Sequence, residues 1–140
     1  MSLDDLDHFA IRTTKLEETA SFFVDLLGMV DGERPPFNFS GKWLYVEEKP
    51  LVHLIAVNED DNTKSGLVGY LGDVDVRDLH GSGAIDHLAF RCSDGDEFRR
   101  RLKSRGVKFR ERRVPNLDLY QVFLEDPNNI TVELNFYGSR

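Results

Sequence analysis

The chain is poor in several things, and each shortage excludes something. It has one cysteine, Cys92, in 140 residues. That rules out an internal disulfide and a cysteine-type structural zinc site, and it makes a reduced, cytoplasmic setting the expectation. Long apolar runs are missing: nothing approaches the ~20 residues of a membrane span. The polar start Met1-Ser2-Leu3-Asp4-Asp5 does not read as a signal peptide. Positive charge is in deficit, 18 Lys and Arg against 25 Asp and Glu, for a net charge of -7. This balance argues against nucleic acid and anionic membranes as main partners. What is present, 40% hydrophobic and 31% charged residues, is a globular composition rather than a disordered one.

The chain repeats itself. Asp7-His8-Phe9-Ala10-Ile11-Arg12 matches Asp86-His87-Leu88-Ala89-Phe90-Arg91 at an offset of 79 residues. Each segment leads into a helical pattern closed by glycine, Lys15 to Leu27 before Gly28 and Asp96 to Arg105 before Gly106. Each half ends on an alternating strand that carries His53 or Glu133, 80 residues apart. Two copies of one unit of roughly 55 residues account for these landmarks. Repeat 1 spans about 5–58, a connector 59–83 and repeat 2 about 84–137, as one domain.

Each copy reads as strand, helix, then three strands. In the first, Leu6 to Arg12 alternates, and Thr14-Lys15-Leu16-Glu17 fits a capping box. Leu16, Ala20, Phe23 and Leu27 form a helical stripe. Pro35-Pro36 forbids helix, and Phe37 to Ser40 and Lys42 to Glu47 read as strands around Gly41. In the second, Ser93 or Asp94 caps the helix, and Phe98 and Leu102 give its stripe. Val107 to Arg113, Leu119 to Glu125 and Ile130 to Phe136 follow as strands, with a turn at Asp126-Pro127-Asn128-Asn129. The glycine-rich connector reads as a linker, or as a flap over a site.

Of four histidines, three fall at matched places: His8 and His87 on the opening strands and His53 on a closing strand. Glu133 takes the fourth place. Related positions in two copies converge when the copies pack about a pseudo-twofold axis. Imidazole and carboxylate suit one divalent metal (Ni, Zn, Co, Mn or Fe), with positions left open for water or substrate. A lone strand histidine is usually a core or surface group; the joint placement makes these four a metal-site expectation. Strand alternation puts His8, Ala10 and Arg12 on one face and His87, Ala89 and Arg91 on its equivalent. Arg12 and Arg91 are therefore candidates for holding an anionic substrate group, unless they are solvated strand-end charges. Cys92 reads as a small core residue and His80 as solvated. Trp43, Tyr45, Phe37, Phe39 and Tyr120 either line a ligand groove or fill the sheet core.

The paired units resemble the vicinal oxygen chelate superfamily, which includes glyoxalase I, methylmalonyl-CoA epimerase, extradiol dioxygenases and fosfomycin and bleomycin resistance proteins. The stretch Phe123-Leu124-Glu125-Asp126-Pro127-Asn128-Asn129-Ile130-Thr131-Val132-Glu133-Leu134 carries this most specifically, with Leu6 to Ile11, Phe22 to Met29 and Ile85 to Phe90. The resemblance implies an α+β fold, two βαβββ repeats forming a curled mixed sheet around a metal with helices outside, often in a homodimer. It implies His8, His53, His87 and Glu133 as metal ligands, Glu133 or His53 as the proton-moving base, and a small-molecule substrate. His53 departs from the glutamate or glutamine expected at its place. The favoured expectation is a metal-dependent isomerase or lyase of the glyoxalase I or epimerase kind, which stabilises an enediolate or enolate. Extradiol cleavage at Fe(II) is the first rival. It is weakened by Phe123 where a tyrosine belongs and by the missing histidine near Val114-Pro115-Asn116. A non-catalytic, drug-resistance type of binding protein is the second.

Overall fold

The computed structural model describes residues 1–58 and 79–138. Residues 59–78 of the expected connector, 59–83, lie outside the described residues. The chain forms two compact units, Met1–Leu79 and His80–Arg140.

The first unit runs β1 (Phe9–Thr13), α1 (Leu16–Ser21), β2 (Val30–Gly32), β3 (Gly41–Val46) and β4 (Lys49–Ala56). Its sheet is ordered β1-β4-β3-β2, with β1 and β4 parallel and the other pairs antiparallel. A parallel pair needs a long crossover, and α1 with β2 and β3 supplies it. After α1 the chain widens into a π-helical turn, Phe22–Leu26, in which Leu27 N–H donates to Phe22 O at 3.2 Å. Gly28 then turns the chain at φ +84°. Phe23, Leu44, Val52 and Leu54 are buried between helix and sheet.

The second unit repeats the plan with β5 (Leu88–Cys92), α2 (Gly95–Ser104), β6 (Arg110–Val114), β7 (Leu119–Glu125) and β8 (Thr131–Tyr137). Its order is β5-β8-β7-β6, with β5 and β8 parallel. Phe98, Leu102, Val122, Val132 and Phe136 form its core. The expected turn is tied by the buried Asp126. Its Oδ1 accepts from Asn128 N–H (2.8 Å) and Ile130 N–H (2.9 Å), and its Oδ2 from Asn128 Nδ2 (2.9 Å).

The two βαβββ repeats are as expected, each with its own four-stranded mixed sheet. Several local details differ from expectation. Neither capping proposal is realised: Lys15 and Asp94 stand at the helix starts with no side-chain cap. Instead Thr13 Oγ1, one residue before the expected cap, accepts Lys15 N–H at 2.8 Å. Asp94 adopts a left-handed conformation, φ 62°, which spends its local freedom on turning the chain. Phe37 to Ser40 is not a strand; two prolines before it and the Arg34-to-Phe39 O bond (2.7 Å) hold it as a loop. The edge strand is β2, too short and polar to announce itself. Gly41 sits where β3 crosses β4 so closely that a Cβ would lie 2.2 Å from Leu54 O.

Candidate functional site

His8 and His87 each immediately precede their opening strand, β1 or β5, so pleat alternation does not force them and the preceding aspartates apart. Both use that freedom in the same way. His8 Nδ1 donates to Asp7 Oδ2 at 2.5 Å, and His87 Nδ1 to Asp86 Oδ2 at 2.7 Å. A carboxylate only accepts, so Nδ1 carries a proton in both rings, and in the neutral form of each ring the lone pair is on Nε2. A carboxylate behind a metal-binding imidazole is a recurrent arrangement. The bond to His8 lowers the Asp7 pKa, and the bond to Asp86 raises that of His87.

The closing strands bring a second group to each histidine. In the first unit Ala10 pairs with His53, and in the second Ala89 pairs with Glu133. The small alanines leave room above the sheet. Glu133 is 13% exposed, and its Oε1 lies 3.6 Å from His87 Nε2. That gap is too long for a hydrogen bond. It matches two ligand atoms that share one cation at ~2.1 Å each. Glu133 Oε2 accepts from Asn135 Nδ2 (2.9 Å), and Asn135 Oδ1 accepts from Gln121 Nε2 (3.0 Å). The carboxylate is thus oriented from behind, with one oxygen kept toward His87.

The first unit is built differently. His53 lies between two parallel rings, His8 at 3.8 Å and 13° and Trp43 at 4.0 Å and 9°. Its Nε2 donates to Pro50 O at 2.9 Å, so Nδ1 holds the lone pair. Imidazole lone pairs lie in the ring plane. Two rings stacked this closely cannot both aim at one ion until one rotates. Burial, helped by the neighbouring His8 ring, lowers the His53 pKa below its usual value. His8, His53, Trp43, Phe37, Phe39 and Arg34 line a cleft of about 540 Å³. Arg34 lies 5.0 Å from the Phe37 centroid and 5.2 Å from that of Phe39.

Among the described residues the candidate ligands therefore stand as pairs, and no group of three or more His, Cys, Asp or Glu is gathered for a metal. Within each unit the groups are of a type that suits a divalent ion: in the first the Asp7-backed imidazole of His8, in the second the Asp86-backed imidazole of His87 beside the half-buried Glu133 carboxylate. His53 fits in ligand type but is engaged by stacking and by Pro50. Arg91 shares the Glu133 face, with its guanidinium 4.4 Å over the Tyr137 ring. Arg12 is half-buried beside Ile55, and the guanidinium lining the aromatic cleft is that of Arg34. Tyr45 and Tyr120 do not line the aromatic cleft of the first unit: Tyr45 donates to Glu33 O (2.7 Å) and Tyr120 is buried in the second unit. Cys92 is part-buried, and burial raises its pKa to about 11, so it stays a thiol. His80 is exposed beside Asn129. The roles of Asp7, Asp86, Arg34 and Asn135 were not foreseen; the repeated Asp-His dipeptide was the available signal for the first two.

The family model described as the Glyoxalase/Bleomycin resistance protein/Dioxygenase superfamily matches residues 5–134. A curated relative, Glyoxylase I 4 of Arabidopsis thaliana, is 21% identical over 137 residues, which is 96% of this chain and 71% of that protein. Among solved structures, lactoylglutathione lyase from Agrobacterium tumefaciens matches with a TM-score of 0.65 and 17% identity, over 97% of this chain and 96% of that one. TnmS3, an antibiotic binding protein from Streptomyces sp. CB03234, matches with a TM-score of 0.63 and 18% identity, over 99% of each chain. At these identities the structural likeness speaks for the fold.

Proposed function

The chain belongs to the Glyoxalase/Bleomycin resistance protein/Dioxygenase superfamily, and from that premise we propose that it is a metal-dependent isomerase or lyase of the glyoxalase I or epimerase kind. One observation carries the reading: the repeat places an Asp-backed histidine, whose neutral tautomer offers Nε2 to a ligand, in both units, and the second has an oriented glutamate beside it. His8, His87 and Glu133 would hold the ion, with His53 joining if it unstacks from His8. A bound divalent metal would supply Lewis-acid stabilisation to two neighbouring substrate oxygens.

The chain's own residues do the rest. His53, with its Nδ1 lone pair when the ring is neutral, can accept a proton from substrate carbon; the Glu133 carboxylate is the alternative base. Trp43 and Pro50 fix the His53 ring, so the accepting atom is held in one place. Arg12 and Arg91 are proposed to orient an anionic substrate group. The alanines at 10 and 89 leave space for a small molecule. The working unit would be a cytoplasmic homodimer.

The test is proton exchange. The full chain, loaded in turn with Ni, Zn, Co, Mn and Fe(II), is incubated in D₂O with methylglyoxal hemithioacetals and α-chiral acyl thioesters. Metal-dependent deuterium incorporation beside the carbonyl, lost in His53→Gln and Glu133→Gln, is expected. Exchange no faster than in buffer with every metal overturns the proposal.

The aromatic cleft of the first unit supports a second reading, a protein that captures planar small molecules by stacking on Trp43 and Phe37. It needs no metal, so ligand affinity would survive His87→Ala.

A further inference from the structure

The hold on Glu133 runs further back than its first partner. On β7 and β8, Phe123 pairs in register with Glu133 and Gln121 with Asn135, so residues 121, 133 and 135 share one side of the sheet. A chain of two hydrogen bonds runs along that side. Gln121 Nε2 donates to Asn135 Oδ1 at 3.0 Å, and Asn135 Nδ2 donates to Glu133 Oε2 at 2.9 Å. All three side chains belong to half-buried residues.

Chemistry gives the chain a direction. A carboxylate accepts and cannot donate, so Asn135 must turn its NH₂ group toward Glu133. Its carbonyl oxygen then faces the other way and calls for a donor. Gln121 supplies that donor, with its own NH₂ group toward Asn135 and its oxygen away. Arg112 of β6 pairs in register with Gln121, which puts a cationic residue on the far side of Gln121 from Asn135. Each amide is thus kept from turning over by its neighbour. The consequence falls on Glu133: with Oε2 engaged by Asn135, Oε1 is the oxygen left 3.6 Å from His87 Nε2.

We propose that Gln121 is a positioning residue for the candidate metal ligand Glu133: acting through Asn135, it sets which carboxylate oxygen is presented beside His87. The proposal rests on the metal reading above and adds to it a residue on the neighbouring strand that bonds neither candidate ligand. Substituting that residue separates the relay from simple electrostatics, because the two have opposite signs. Gln121→Glu swaps a donor for an acceptor of the same shape. Asn135 then has a carboxylate on each side and one NH₂ group. When it turns toward residue 121, its oxygen meets Glu133 Oε2 and drives that carboxylate out of place. The relay therefore predicts weaker metal binding, whereas a bare extra negative charge near the site predicts tighter binding of a cation. Gln121→Met removes the donor without inverting it and should fall between the parent and Gln121→Glu.

The test is chelator competition with Zn(II) and Co(II) on the full chain, with the Co(II) absorption spectrum recorded for each loaded variant. Asn135→Ala should weaken binding about 10–100-fold, the usual effect of removing a metal ligand's hydrogen-bond partner. Gln121→Glu should weaken it about 3–10-fold, the worth of roughly one hydrogen bond, and Gln121→Met less. The Co(II) bands of Gln121→Glu should move, because the carboxylate is presented differently. A substitution that only loosened the fold would lower the melting temperature and leave the spectrum of the bound ion unchanged. Should Gln121→Glu fail to fold, Gln121→Met and Asn135→Ala carry the same two readouts. Two results overturn the proposal alone: a folded Gln121→Glu that binds as tightly as the parent or more tightly, or weakened binding with unmoved Co(II) bands. A parent chain that takes up neither ion overturns the metal reading itself, and the proposal with it.

Discussion

His87 Nε2 and Glu133 Oε1 face each other across 3.6 Å, each tied from behind, His87 by Asp86 and Glu133 by Asn135. The two atoms are too far apart to bond one another and suitably spaced to share a cation. This pair, rather than the stacked His8–His53 pair, is the firmer half of the candidate site.

The aspartate behind His87 should matter without touching substrate. Asp86 is exposed, so Asp86→Asn should leave the fold intact. It should weaken metal affinity about 10–100-fold by freeing the ring and its tautomer. Competition against a chelator of known affinity measures this; unchanged affinity would remove Asp86 from the account.

Trp43 is the single tryptophan of the chain and lies on the His53 ring. A planar ligand entering the first-unit cleft should change its emission. Trp43→Ala should weaken such a ligand by ~1 kcal/mol or more through lost stacking, while metal content stays at the parent level. A ligand held equally well by the alanine variant would show that the cleft is not its site.

Acid should loosen the second unit through Glu111. The Arg99 guanidinium beside it, helped by the Tyr120 hydroxyl, holds the Glu111 pKa below its usual 4.5. A depressed carboxylate stabilises fully above its unfolded-state pKa and loses that contribution as pH falls through the folded one. The pair is solvent-exposed, so its contribution is small, and smaller still in high salt. Denaturant melts of Arg99→Gln and parent should therefore differ at pH 7 and converge in strong acid. Tyr120 moves the other way: burial and Glu111 raise its pKa to about 12, so its contribution fades only at strongly alkaline pH.

The turn before β8 depends on one buried carboxylate. Asp126→Ala strands the N–H groups of Asn128 and Ile130 and should cost on the order of 2–4 kcal/mol. Chemical denaturation reads this; a loss under about 0.5 kcal/mol would mean that other groups hold the turn.

That turn was fully legible in the sequence, because Asp-Pro-Asn-Asn makes its own local bonds. The repeat was legible for another reason: two copies at constant offset test each other, and the same strand order appears in both units. Less local features were hidden. β2 is three residues, Val30–Gly32, and takes its strand form only from pairing with β3. Phe37 to Ser40 has strand-forming residues, but Arg34 bonds and stacks them into a loop. The candidate ligands were found by their types and spacing. Their tautomers were not, since a proton's place depends on the partners Asp7, Pro50 and Asp86.

The most direct measurement is metal content by elemental analysis, after controlled loading, of the parent chain beside His87→Ala/Glu133→Ala. The account predicts about one divalent ion per chain in the parent and its loss in the variant, with the fold retained. A parent that takes up no metal under any loading, or a variant that keeps it, would contradict the four-residue site and leave the aromatic cleft of the first unit as the better explanation.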